Sequence, residues 1–170
     1  MKRTDRSAGR HRKHNTKKFT LAMTDNMNEV NRMVRKFKRK FPRTVAFRTS
    51  AHASVVEEHL NPGEKVTYAF CAQKNVSSFM IINSCVIAIT NKRILIGQKR
   101  LLWGYFFTTI TPDLYNDLKV TKNLIWSDIE IDTVKENIYI SNIDPKGAVE
   151  IETKITEFMM SEKKKYGKGN

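Results

Sequence analysis

Apolar residues recur along this chain in two rhythms. Between residues 27 and 41 the interval is three and four. At about 100° per residue, Met27, Val30, Met33, Val34, Phe37 and Phe41 share an arc of roughly 120°, and Arg32, Arg35, Lys36, Lys38, Arg39 and Lys40 fill the rest of the circumference. The spacing predicts a basic amphipathic helix over 27–41. Asn26 is its cap, with Glu29 three residues on, and Pro42 cannot continue it. A short helical stretch with Val55, Val56 and Leu60 follows and stops at Asn61-Pro62-Gly63.

From Val66 the interval becomes two. Val66, Tyr68 and Phe70 alternate with Thr67, Ala69 and Cys71, and a β-branched run from Ile81 to Ile89 leads through Thr90-Asn91-Lys92-Arg93 to Ile94-Leu95-Ile96-Gly97, a hairpin. Tyr105 to Thr111 and Asp117 to Val120 are weaker strand signals split by Pro112. Ile125, Ile129 and Ile131 alternate with Asp128, Glu130 and Asp132, so one face of that strand is buried and the other wet. Ile138 and Ile140 mark a last strand. Asp144-Pro145 then opens a C-terminal helix, aspartate as cap and proline in the first turn. Its stripe is Ile151, Ile155, Phe158 and Met159; Lys163 to Lys165 suit the negative end of its dipole, and the residues from Tyr166 to Asn170 are expected to fray. About six or seven antiparallel strands closed by one helix make a mainly β, α+β architecture, a sandwich or partly open barrel with one end plugged.

Charge divides this pattern. Residues 1–50 hold 16 Lys and Arg against three acids, and residues 51–170 hold 15 against 14, so nearly all of the +14 belongs to an N-terminal arm. A boundary is expected near residue 50. Residues 1–22, basic and poor in large apolar side chains, are expected to be a disordered tail; 23–50 carry the helix and a linker, 51–166 the globular domain, and 167–170 a frayed end. At 170 residues and 40% apolar, the chain can build one ordinary core. Phe79 to Ile89 is interrupted by Asn83 and Ser84 and Leu101 to Phe107 is short, so no run reaches the roughly 20 residues of a membrane helix. The basic start has no apolar segment behind it, unlike a secretory signal, and the expectation is a cytoplasmic chain that can sit peripherally at the inner membrane face.

The segments Leu60-Asn61-Pro62-Gly63-Glu64-Lys65-Val66, Ile87 to Gly97 and Ile138 to Phe158, with the Thr-Asn-Lys-Arg turn as their most specific piece and Ile125-Trp126-Ser127-Asp128-Ile129 in support, resemble the bacterial pleckstrin-homology (PH) domains over roughly residues 52–160. The resemblance implies a seven-stranded PH barrel capped by a helix, generally without catalysis, and no shared ligand residues. Phosphoinositide-binding PH domains resemble one another in a basic first hairpin. Here the corresponding stretch, Ala72 to Ser78, has one lysine, which argues against inositol-phosphate recognition.

The basic helix is the sharpest candidate site. Arg32, Arg35, Lys36, Lys38, Arg39, Lys40 and Arg43 suit the phosphates of an anionic surface, with Met27, Val30, Met33, Val34, Phe37 and Phe41 as an apolar insertion face. The competing use of that face is packing on the domain itself or on a second copy. A nucleic-acid or particle-assembly role also suits a +13 arm, although its aromatics, Phe19, Phe37, Phe41 and Phe47, are few for base stacking. Asp128, Glu130 and Asp132 make a solvated face that can bind a cation or receive the arm, and Lys92 and Arg93 are candidate barrel contacts at a turn. His11, His14, His52 and His59 lack metal-ligand spacing, and Cys71 with Cys85 read as buried fillers on neighbouring strands. No metal or cofactor is expected. With seven glycines and no nucleophile elbow, phosphate loop or His-Glu-x-x-His, the chain reads as a non-enzymatic binding or scaffold module with an unassigned protein partner, and self-association through barrel edges stays open.

Overall fold

A computed structural model describes residues 29–75 and 83–166 of the chain. Helix α1 covers residues 29–40 and helix α2 Thr49–Glu58. Seven strands follow: β1 Val66–Gln73, β2 Ser84–Thr90, β3 Ile94–Lys99, β4 Tyr105–Ile110, β5 Tyr115–Lys122, β6 Ser127–Thr133 and β7 Asn137–Ile143. Helix α3, Pro145–Tyr166, completes the order. The strands form one antiparallel sheet in the order β4-β3-β2-β1-β7-β6-β5. Among the described residues its two halves are in register at Gln73 opposite Ser141, where β1 passes β7.

Burial follows from what covers each strand. All seven residues of β2 are buried, because α2 packs on β2 and β3 and α3 also reaches β2. Such a strand reads as a continuous apolar run rather than an alternation. Strand β6 alternates strictly, with Ser127, Ile129, Ile131 and Thr133 buried and Asp128, Glu130 and Asp132 half-exposed. Ile125 departs from the expected alternation: it precedes β6 and is exposed. Helix α3 begins as its sequence implies. The Lys146 amide donates to Asp144 Oδ1 at 3.0 Å, and Ile151, Ile155, Phe158 and Met159 are buried.

The expected boundary near residue 50 does not divide the core. Val30, Val34, Phe37, Phe41 and Ala46 belong to the same cluster as Phe70, Ile87, Ile129 and Ile151. An apolar helical stripe gains free energy wherever it leaves water, and the nearest apolar surface is β1 and the start of α3. Phe37 packs its ring 5.8 Å from Phe70 and 4.9 Å from Phe41, both tilted, and 6.3 Å edge-on from Tyr68. Gly147 permits the approach to α3, since a Cβ there would stand 3.1 Å from Phe41 Cγ and 3.2 Å from Phe37 Cζ. Asn26, Met27, the expected tail 1–22 and the residues 167–170 lie outside the described residues.

Candidate functional site

With its apolar stripe held in the core, α1 turns the opposite face to water. Arg32, Arg35, Lys36, Arg39 and Lys40 are exposed, as is Arg43 just beyond the helix. Two of these cations reach back to acids of the domain: Lys40 pairs with Glu150 on α3, and Arg43 Nε lies 3.3 Å from Asp144 Oδ2. Lys38 Nζ donates to the Ala46 carbonyl at 2.5 Å, and Arg32 sits 3.6 Å from Glu29. Arg35, Lys36 and Arg39 have no ion pair among the described residues. A shallow hollow of about 680 Å³ is lined by Asn31, Arg32, Arg35, Lys38 and Arg39.

The basic half of the expected site is therefore on the surface and the apolar half is not. Val30, Val34, Phe37 and Phe41 are at most 5% exposed and Met33 packs partly buried against the core, so the stripe is not an insertion face in this structure; Met27 lies outside the described residues. The reason is local: the sheet offers these side chains the same release from water that a bilayer would.

Arg93 is also corrected. It points into the molecule, where Nε and Nη2 each lie 3.0 Å from a carboxylate oxygen of the fully buried Glu64, and Nη2 donates at 2.9 Å to the His59 carbonyl. Glu64 also accepts from the Thr90 hydroxyl at 2.7 Å and the Asn61 amide at 2.9 Å. Burial pushes the Glu64 carboxyl up, but the Arg93 guanidinium and these donors outweigh it and hold it below the usual carboxylate range. Asn91 completes the lock, its Oδ1 accepting from the Lys65 amide and its own amide donating to the Lys65 carbonyl, both at 2.9 Å. The Pro-Gly-Glu and Thr-Asn-Lys-Arg segments are thus two halves of one buried polar cluster that pins the α2–β1 loop to the β2–β3 turn. Lys92 alone of that turn's cations stays exposed.

Other candidates resolve into packing. Among the described residues, Lys40 and Arg43 meet Glu150 and Asp144; Glu130 accepts from the Asn137 side-chain amide at 2.9 Å and Asp128 from the Asn123 side-chain amide at 3.2 Å. His52 is buried and accepts from the Lys99 amide at 2.8 Å; burial, aided by the nearby Arg48 cation, lowers its pKa to about 4. His59 donates through Nδ1 to the Val55 carbonyl and stacks 4.1 Å from Phe107. Cys71 and Cys85 are free and buried on paired strands, and burial pushes their thiols up to about 11 and about 12, far from the reactive thiolate range. Among the described residues no three His, Cys, Asp or Glu side chains cluster as metal ligands, and no helix is long and apolar enough to cross a membrane.

One exposed feature was not singled out by spacing. The β3–β4 turn presents Leu101, Leu102 and Trp103 at 80%, 79% and 77% exposure, with Phe106 and Phe47 also exposed. Beside it lies a hollow of about 530 Å³ lined by Phe47, Arg48, His52, Lys99, Arg100 and Phe106 among others. Its signal in the sequence is an apolar run directly behind Lys99-Arg100, in a stretch, Lys65 to Pro112, that contains no acid.

Residues 60–157 match the family model described as "Bacterial PH domain". The chain belongs to the bacterial PH domain family. The PH domain match spans the Glu64–Arg93 lock, all seven strands and most of α3, and leaves α1 and α2 outside it. Proteins of this kind are generally binding modules rather than catalysts. Among solved structures, the chain is similar to a protein of the DUF1696 family with a pleckstrin-homology domain from Shewanella loihica PV-4, at 14% identity and TM-score 0.41 over 61% of this chain and 89% of that one. It is also similar to a pleckstrin homology domain from Shewanella amazonensis SB2B, at 12% identity and TM-score 0.43 over 63% and 84%. No curated protein matches the chain.

Proposed function

We propose that this PH domain is a non-enzymatic binding module that its basic N-terminal side holds against an anionic membrane surface. One observation carries the reading: α1 is fixed to the core by Val30, Val34, Phe37 and Phe41, so Arg32, Arg35, Lys36 and Arg39 are presented outward from a rigid support. The charge distribution supports it. Residues 1–112 carry 22 Lys and Arg against six acids, and residues 113–170 carry nine against 11. Such an excess of cations favours approach of this part of the chain to a negative surface. Each cation near the headgroups is worth about 1 kcal/mol, and the interaction weakens with salt because it is screened within a Debye length. Residues 29–166 act as one unit in this reading, the preceding residues add further basic charge, and the remaining barrel surface is left to recruit a protein partner.

Co-sedimentation of the full chain with phosphatidylcholine vesicles, with and without phosphatidylserine, tests this. Binding is expected only to the anionic vesicles, and the triple variant Arg32→Ala/Arg35→Ala/Arg39→Ala should bind roughly a hundredfold more weakly. Unchanged binding by the triple variant, or displacement by duplex DNA at equal phosphate, sinks the reading and moves the arm to nucleic acid.

A further inference from the structure

The exposed β3–β4 turn is built to keep its shape rather than to collapse. The Arg100 amide donates to the Gly104 carbonyl at 3.1 Å, closing the turn, and Gly104 has φ +81°, a conformation that favours glycine. The Arg100 guanidinium lies 5.2 Å over the Phe106 ring, and both terminal nitrogens of Arg48 lie 3.5 Å from the Arg100 carbonyl. Arg48 makes that contact from a left-handed backbone, φ 50°, uncommon for a residue with a side chain.

The turn also joins the basic face of α1. A short strap links them: Lys38 reaches the Ala46 carbonyl, the Phe47 amide donates to Ser84 Oγ at 2.8 Å, and Arg48 reaches Arg100. Three large apolar side chains thus stand in water beside Arg48, Lys99 and Arg100, with Phe47 and Phe106 at their base.

We propose that Leu101, Leu102 and Trp103 enter the apolar margin of an anionic bilayer while Arg48, Lys99 and Arg100 meet its phosphates. This rests on the membrane reading above and assigns the insertion element, which the buried stripe of α1 is not free to supply. Charge selects the occupant. A symmetric contact with a second copy would set this all-cationic patch against itself, whereas a phosphatidylserine surface complements it. Tryptophan beside basic residues also suits the headgroup boundary, where an amphipathic ring has one apolar end and one wet end.

The test is tryptophan emission of the full chain on phosphatidylcholine and phosphatidylcholine/phosphatidylserine vesicles, with brominated acyl chains as quenchers. The chain has two tryptophans, so the signal of interest is the part that Trp103→Phe removes. Trp103 should shift to the blue and be quenched on anionic vesicles only. Leu101→Asp/Leu102→Asp should lose that signal and bind at least about tenfold more weakly, with its thermal melt unchanged because both side chains are already in water. Unshifted Trp103 emission together with full affinity in the double aspartate variant overturns this inference. If Arg32→Ala/Arg35→Ala/Arg39→Ala still weakens binding in that case, the basic-face reading survives alone. Absence of wild-type binding overturns both. A wild-type dimer in size-exclusion chromatography that the aspartates dissolve gives the patch to a second copy and overturns the lipid assignment.

Discussion

Helix α1 and the β2–β3 turn both carry cations, and both bring them to carboxylates, with opposite results. At the turn, Arg93 and Glu64 are 29 residues apart in the chain and meet in a hydrogen-bonded cluster where Glu64 is fully buried and Arg93 only 17% exposed. On α1 and just after it, Lys40 and Arg43 meet Glu150 and Asp144 with their own side chains still more than half in water. The contrast teaches that basicity alone does not mark a binding residue. What decides is whether an acid can reach the cation out of water. Where it can, the pair becomes architecture; Arg35, Lys36 and Arg39, which have no ion pair among the described residues, keep their side chains in water.

The largest effect should come from splitting the buried pair. Arg93→Met or Glu64→Gln is expected to lower stability by about 3 to 5 kcal/mol in urea unfolding, because the remaining partner keeps its burial and loses its counter-charge. A loss below about 1 kcal/mol would place this pair with the surface ones and dissolve the contrast. Within α1 the comparison sharpens between faces. Phe37→Ala should cost about 3 kcal/mol through the cavity left beside Phe70 and Phe41, whereas Arg35→Ala should change stability by no more than about 0.5 kcal/mol.

Acid tests the packing of α2 behind the turn. His52, held at about 4 against an ordinary 6.5, binds a proton less readily folded than unfolded. Its contribution is therefore complete above 6.5 and lost as pH falls toward 4. Burial pushes Glu57 up to about 7, against the donor amide of Asn31, and its sign is the reverse: stability falls as pH rises from about 4.5 to 7. In His52→Gln the acid-side loss should shrink, so that the melting temperature between pH 4 and 6.5 follows the Glu57 trend, a change of a few degrees by circular dichroism. The smallest effect belongs to the exposed pairs. Lys40→Ala and Arg43→Ala should each change unfolding free energy by about 0.5 kcal/mol or less, and less again in high salt.

Much of this protein was legible from spacing. The alternation of Ile129 and Ile131 with acids, the Asp144-Pro145 helix start, the stripe from Ile151 to Met159 and the hairpin at Thr90 to Arg93 all have the same cause: local periodicity records which side of an element leaves water. The candidate site was legible only in half. That α1 has a basic face follows from its sequence, but the identity of the surface that takes its apolar face does not, because a sheet, a second copy and a bilayer remove the same area from water at comparable gain. Only the tertiary structure decided that Phe37 packs on Tyr68 and Phe70, that Glu64 claims Arg93, and that Leu101, Leu102 and Trp103 are left outside. Each of those outcomes depends on segments far apart in the chain arriving at one place, and no repeat of three, four or two residues encodes that meeting.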